Sequence, residues 1–264
     1  MRPNLIKARH AAGQPMINAW LSIPSAYAAE LVASQGFDCV TVDLQHGMIG
    51  FDAAVTMLQA ISATAAAPLV RCSSAHGPEI MKLLDAGAYG VICPQVDTPA
   101  QAALLVAACR YPPTGNRSFG PARGLLYGGA DYFDGANQQI VALAMIESQQ
   151  ALHNLDAILD TPGLDGVYVG PNDLALSLGG RPGAEPSART ADAIALILAG
   201  ARARGQIAGI FCGGAEGAIQ RLAQGFGLVT PGNDAQVLAA GCRDRVAAVR
   251  GAAQGASTGK HSGY

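Results

Sequence analysis

Lysine is nearly missing from this chain: only Lys7, Lys82 and Lys260 occur in 264 residues. None of the three closes an apolar run of strand type, so a Schiff-base mechanism has no candidate amine. Aromatic residues make up 5%, with a single tryptophan at Trp20, and the core must therefore be packed with small and branched aliphatic side chains. There is no block of like charge: 17 basic residues stand against 19 acidic ones, a net charge of −2. That balance gives no electrostatic footing for nucleic acid or an anionic membrane. No apolar run reaches the ~20 residues that a spanning helix needs. The opening MetArgProAsnLeuIleLysAlaArgHis has no apolar core of signal-peptide length, and a cytoplasmic location follows as the default expectation. Cys39, Cys72, Cys93, Cys109, Cys212 and Cys242 form no C-x-x-C pair. In a chain this long they read as reduced core residues, not as a disulfide frame or a zinc site. Finally, no G-x-G-x-x-G follows the first strand signal, which argues against a dinucleotide-binding doubly wound sheet.

What is present is a repeating alternation of short apolar runs and helical stretches, in a chain that is 50% hydrophobic with 33 glycines. Strand signals fall at Met16–Leu21, Cys39–Asp43, Pro68–Arg71, Gly90–Pro94, Val141–Ile146, Gly166–Val169, Ile207–Cys212 and Phe226–Thr230. Between them lie helices over about 25–35, 51–63, 78–87, 98–110, 189–205 and 215–224, with flanking helices at 4–12 and 233–252. Ala28, Leu31 and Val32 are expected on the buried face of the first of these. Thr98 reads as an N-cap with Pro99 at the first helical position. Eight strands alternating with helices predict a (β/α)₈ TIM barrel, an α/β fold occupying residues 1–250 as one domain. Residues 251–264 are low in complexity and read as a flexible tail. Tyr111–Gln138 reads as one long loop, of the kind that is either functional or disordered.

Barrel enzymes carry their chemistry at the C-terminal ends of the strands. Those ends offer Trp20, Asp43, His46, Arg71, Glu147 and Asp173. Glu147 closes the fifth apolar run, and Asp173 follows Gly170 and Pro171 just past the sixth. Neighbouring parallel strands lie ~4.8 Å apart, so two such carboxylates can close on one hard divalent cation and leave room for water and substrate oxygens. Taken singly, each also reads as a carboxylate favouring a helix N-terminus. His46 is a candidate general base, or a loop histidine held by backbone. Arg71 can stabilise an oxyanion, or can be a rim salt bridge. Arg117 and Arg123, in the long loop, can grip an anionic substrate tail, or be solvated.

Seven segments in this order, ValAspLeuGlnHisGly, ProLeuValArg, MetLysLeuLeuAspAlaGlyAlaTyrGly, ArgTyrProProThrGlyAsnArgSerPheGly, AlaMetIleGlu, GlyValTyrValGlyProAsnAspLeuAla and AlaGlyIlePheCysGly, resemble the HpcH/HpaI aldolase family. The likeness spans roughly residues 4–250. It implies a metal-dependent class II aldolase on a phosphoenolpyruvate/pyruvate-type barrel. The reaction would make or cleave the C3–C4 bond of a 4-hydroxy-2-oxo acid, giving pyruvate or hydroxypyruvate and an aldehyde through a metal-stabilised enolate. Mg²⁺, Mn²⁺ or Co²⁺ would be held by Glu147 and Asp173. His46 would be the base, Arg71 the transition-state stabiliser, and Asp85 the residue that raises the basicity of His46. Trp20, Asp43, Met145, Gly170, Pro171, Asn172, Asp173 and Arg123 would meet substrate. The resemblance also implies a homohexamer, a trimer of dimers with the last helix exchanged. Met145 stands where several relatives carry Gln, and Gln45 where many carry Glu. Oxaloacetate decarboxylation on the same site is an alternative reaction, and a silent 2-oxo-acid binding protein is an alternative of another class.

Overall fold

The computed structural model describes residues 1–183 and 186–258. Eight parallel strands close into one ring in chain order: β1 (Met16–Leu21), β2 (Cys39–Asp43), β3 (Ala67–Arg71), β4 (Gly90–Cys93), β5 (Val141–Ile146), β6 (Gly166–Val169), β7 (Ile207–Cys212) and β8 (Leu228–Pro231). Helix α1 (Leu5–Ala11) precedes β1. The ring is wrapped by α2 (Ala26–Ala33), α3 (Phe51–Ser62), α4 (Gly77–Asp85), α5 (Pro99–Cys109), α6 (Ala122–Gly128) and α7 (Tyr132–Gln139). The second half adds α8 (Gln149–His153), α9 (Leu155–Leu159), α10 (Pro171–Ser177), α11 (Ala188–Ala203), α12 (Ala215–Gln224) and α13 (Asp234–Thr258).

Local chemistry explains the helix starts. Asn4, Ser25, Ser148 and Ser187 each accept a first-turn backbone N–H on their side chain. Thr98 forms a full capping box with Gln101 ahead of Pro99, as the sequence suggests.

Strand side chains alternate between two environments, because successive residues point to opposite faces. Val40 and Val42 face the helices, within the larger core, whereas Met16, Cys39, Leu69, Leu143, Tyr168 and Leu228 fill the barrel interior. The same alternation places the last inward position of each strand at the top of that interior. Trp20, Asp43, Arg71, Met145, Tyr168 and Phe211 occupy six of those positions, and Glu147 is the next inward step beyond Met145. The period of two thus delivers the polar residues to one end of the ring.

Three expectations need correction. Residues 111–138 are not one loop, since α6 and most of α7 lie within them. The Tyr132 ring packs on Gly124 and Gly128 so closely that a Cβ at Gly128 would fall 2.4 Å from it, and this glycine-dependent docking leaves no apolar periodicity to read. On α2, the buried residues are Ala29 and Ala33, and Leu31 is exposed. The last helix continues through Thr258, past the start of the expected tail; residues 259–264 lie outside the described residues. Among the described residues no helix is long and apolar enough to cross a membrane.

Candidate active site

The top of the barrel opens into a cleft of about 300 Å³. Its floor and walls include Trp20, Asp43, Arg71, Met145, Tyr168 and Phe211, and its rim includes His46 and the Gly170–Asp173 stretch. Ser22, Asn233 and Gln236 complete one side.

Asp43 and Arg71 are register partners on β2 and β3. Arg71 Nε donates to Asp43 Oδ1 at 2.8 Å, and Nη2 donates to Oδ2 at 2.5 Å. Trp20 Nε1 donates to Oδ2 at 3.2 Å, and the guanidinium carbon lies 4.8 Å from the Trp20 ring centroid. Burial works against ionising Asp43, but the bonds and charge of Arg71 outweigh it and hold the carboxyl below its usual range. Asp43 Oδ1 also accepts the backbone N–H groups of Gln45 and His46, at 3.0 and 3.2 Å. This tight turn brings His46 back over the cleft. Gly47 is required there, because a Cβ would sit 2.2 Å from the Asp43 carbonyl oxygen.

Across the cleft, Glu147 is 5% exposed. Its Oε1 accepts the backbone N–H of Gln95 at 2.7 Å. Its Oε2 lies against Gly170, where a Cβ would approach to 2.3 Å. Burial pushes the Glu147 carboxyl up to about 7, the Gln95 bond opposes that rise, and the charge of Asp173 adds to it. Asp173 is in the first turn of α10, exposed at the rim, while Asn172 Oδ1 accepts the Gly183 N–H at 2.9 Å. Glu147 thus stands behind Gly170 of the cleft wall, and Asp173 stands at the rim, with the fixed cation Arg71 on the floor. That donor set is all oxygen, as a hard divalent cation requires. Among the described residues no group of three or more His, Cys, Asp or Glu forms a complete protein cage. A cation at Glu147 and Asp173 would keep positions for water and substrate.

Not every expected residue reaches the cleft. Asp85 ends α4, and a helix following β3 returns to the N-terminal end of the ring. There Asp85 accepts from Arg117 Nη2 at 2.7 Å, and it does not meet His46 within one chain. Arg117 is buried, also donating to Tyr132 Oη at 3.0 Å, and is no solvent-facing anion grip. Arg123 is likewise spent on the protein: it donates to the Ala86 carbonyl at 2.6 Å and to Ser62 Oγ at 3.1 Å. Conversely, sequence reasoning passed over Tyr168 and Phe211, which the inward alternation of β6 and β7 would have found. Gln95 acts through its backbone N–H and left no signal in residue type.

A family profile described as HpcH/HpaI aldolase/citrate lyase matches residues 17–240. A hydroxypyruvate/pyruvate aldolase of Rhizorhabdus wittichii is 43% identical over 248 residues, covering 94% of this chain and 99% of the relative. A 4-hydroxy-2-oxo-heptane-1,7-dioate aldolase of Klebsiella pneumoniae is 38% identical, covering 90% and 91%. Among solved structures, an HpcH/HpaI aldolase/citrate lyase family protein from Burkholderia cenocepacia superposes with a TM-score of 0.88 at 32% identity, covering 94% of this chain and 99% of that one. With the closed barrel and the acidic cleft, these matches place the chain in the HpcH/HpaI aldolase/citrate lyase family.

Proposed function

We propose that this protein is a divalent-metal-dependent class II aldolase that makes or cleaves the C3–C4 bond of 4-hydroxy-2-oxo acids. Its keto-acid product or donor is pyruvate or hydroxypyruvate, and its other partner is an aldehyde. The observation that carries the reading is the Glu147 carboxylate packed directly behind Gly170 of the cleft wall, with Asp173 three residues on at the rim and Arg71 on the floor. The Rhizorhabdus relative, named for hydroxypyruvate and pyruvate, supports the choice of donor.

Glu147 and Asp173 would hold Mg²⁺, Mn²⁺ or Co²⁺. The cation supplies Lewis-acid stabilisation of the charge that develops on the keto oxygen. Arg71 is already oriented by Asp43, and its remaining N–H groups add positive charge at that oxyanion without reorganising. His46 takes the proton of the C4 hydroxyl during cleavage. The C4–O bond becomes the aldehyde carbonyl, the C3–C4 pair stays on C3, and protonation there yields the free keto acid. The backbone at Asn172 meets the substrate carboxylate. Trp20 and Phe211, with rings 5.8 Å apart and edge-on, exclude water from one wall. With Met145 in place of an amide donor, this wall is apolar beside the donor subsite.

Assembly as a homohexamer with an exchanged last helix agrees with the surface of α13. Val237, Leu238, Val246 and Val249 are 67%, 59%, 48% and 71% exposed on it. An apolar groove beside Val237 and Leu238 is lined by Ala28, Leu31 and Val32 of α2. A partner copy covering this face would bury what one chain leaves open.

Proton exchange tests the reaction without knowledge of the aldehyde. The protein is incubated in D₂O with pyruvate or hydroxypyruvate, and the C3 proton signals are followed by NMR with Mg²⁺, Mn²⁺, Co²⁺ or EDTA. Metal-dependent loss of signal that Glu147→Ala abolishes is expected, and the faster donor identifies the physiological branch. No exchange and no retro-aldol cleavage in the folded, metal-loaded protein would sink the reading.

A further inference from the structure

Among the described non-glycine residues, Gln95 alone has a positive φ, at 53°. Glutamine has no side-chain reason to prefer this left-handed region, which crowds the Cβ of any non-glycine residue. The surrounding chain enforces it. Cys93 ends β4 and is fully buried, Pro94 is buried, and Val96 is fully buried, so the segment is pinned on both sides of Gln95. The Gln95 side chain itself is exposed. The Gln95 N–H donates to Glu147 Oε1 at 2.7 Å, and the left-handed φ is what lets the chain hold that bond and still turn to bury Val96. On the other side of the carboxylate, Oε2 rests against Gly170, where no Cβ can stand. Glu147 is thus held between a strained backbone donor from the β4 loop and bare backbone from the β6 loop.

We infer that Gln95 is a positioning residue for the candidate cation site, acting through its left-handed backbone N–H and not through its side chain. The bond fixes the rotation of the Glu147 carboxylate and leaves Oε2 as the oxygen presented toward the rim where Asp173 stands. Strain held at such a place is expected when the neighbouring structure overdetermines it, and groups that orient ligands are commonly worth 10–100-fold in metal affinity. The inference rests on the reading of Glu147 as a cation ligand, and the test separates the two.

The readout is Mn²⁺ affinity, measured by electron paramagnetic resonance on the full chain in its native assembly. Gln95→Gly keeps the N–H and relaxes the φ, and should bind Mn²⁺ within about twofold of wild type. Gln95→Val keeps an N–H but resists φ > 0 through its branched Cβ, and should bind about tenfold or more weakly. Should the valine variant fail to fold, replacing Gln95 with its α-hydroxy acid analogue turns the N–H into an ester oxygen with the side chain intact. That ester should lose affinity by the same order, with the far-ultraviolet circular dichroism of the barrel unchanged. Equal affinity for wild type and the ester overturns the positioning role while leaving the cation site standing, provided Glu147→Gln has lost Mn²⁺. If Glu147→Gln binds Mn²⁺ as wild type does, the cation reading and this inference fall together.

Discussion

Arg71 reaches across one strand spacing to hold Asp43 at two points, Nε on Oδ1 and Nη2 on Oδ2. The pair is buried, with Arg71 at 8% and Asp43 at 2% exposure. Because the fork is satisfied by Asp43, the guanidinium is pre-aimed and its orientation need not be set when substrate enters. Arg71→Lys keeps the charge and loses the planar fork. It should lower kcat by ~10²–10³ if Arg71 faces a developing oxyanion. Arg71→Ala strands Asp43 in the interior and should also destabilise the fold by about 3–5 kcal/mol, read as a lower denaturant midpoint. A lysine variant with wild-type kcat/KM would deny Arg71 the oxyanion role.

His46 is exposed at the rim, and its backbone N–H donates to Asp43. Its replacement by alanine should leave the fold and metal binding intact and cut turnover by roughly two to four decades. Steady-state kinetics on a cleavable 4-hydroxy-2-oxo acid decides it, and a loss under tenfold argues for another base.

Gly170→Ala is the smallest change that strikes the site from outside the titrating residues. The new Cβ would stand 2.3 Å from Glu147 Oε2. The carboxylate must swing away, and Mn²⁺ affinity should fall by ~10–100-fold in a protein whose melting temperature moves little. Calorimetric titration reads the change. Unaltered affinity would mean that Oε2 does not face the cation.

The carboxyl of Glu147 is raised from 4.5 to about 7, first by burial and then by the neighbouring Asp173 charge. The folded state therefore keeps this proton to higher pH than the unfolded chain does. In the metal-free protein, its contribution to stability is complete below the unfolded pKa and is lost as pH rises through about 7. The loss amounts to ~3 kcal/mol at ~1.4 kcal/mol per unit. A divalent cation competes with the same proton. Added Mg²⁺ or Mn²⁺ should raise the melting temperature more at pH ~8 than at pH ~6. Scanning calorimetry of wild type and Glu147→Gln, with and without EDTA, checks both trends. A cation effect independent of pH would count against Glu147 as the ligand.

Charge placed on the open face of α13 tests the assembly. Val237→Asp together with Leu238→Asp alters two exposed residues and no cleft side chain. Light scattering should show the proposed hexamer of the wild type giving way to smaller species. A wild-type protein that is monomeric in solution would contradict the exchanged helix.

The ring of strands was legible because buried strands of a barrel are apolar on both faces, and Met16–Leu21, Cys39–Asp43, Val141–Ile146, Gly166–Val169 and Ile207–Cys212 read off the sequence at the bounds that the structure gives. Helices were legible where caps such as Thr98 announce them. Tyr132–Gln139 was not, because its docking depends on one tyrosine against two glycines and not on a repeating apolar stripe. Leu31 misled for a related reason: α2 turns the small Ala29 and Ala33 inward to sit close to the sheet, and the large Tyr27 and Leu31 outward. At the cleft, strand-end reading brought Trp20, Asp43, His46, Arg71 and Asp173 together in one place. It failed for Arg117 and Arg123, since arginines in a loop carry no sign of whether their partners are solvent, ligand or protein carbonyls. It missed Gln95, because a backbone donor is present in nearly every residue and only the fold decides where it points.

The closure of the ring rests on a narrow seam. β1 and β8 share two register pairs, Met16 with Leu228 and Ile17 with Val229, whereas β2 and β3 share five. These are the first and last strands of the barrel, so their meeting requires nearly the whole chain to be in place. Loop-closure entropy makes such a distant pairing late and costly. Until it forms, both strands carry unpaired edges of the kind that template aggregation; once it forms, the barrel has no edge left to offer. Copies of this chain can then no longer associate by strand pairing, and the seam between β1 and β8 marks the point at which folding passes from a vulnerable open sheet to a sealed one.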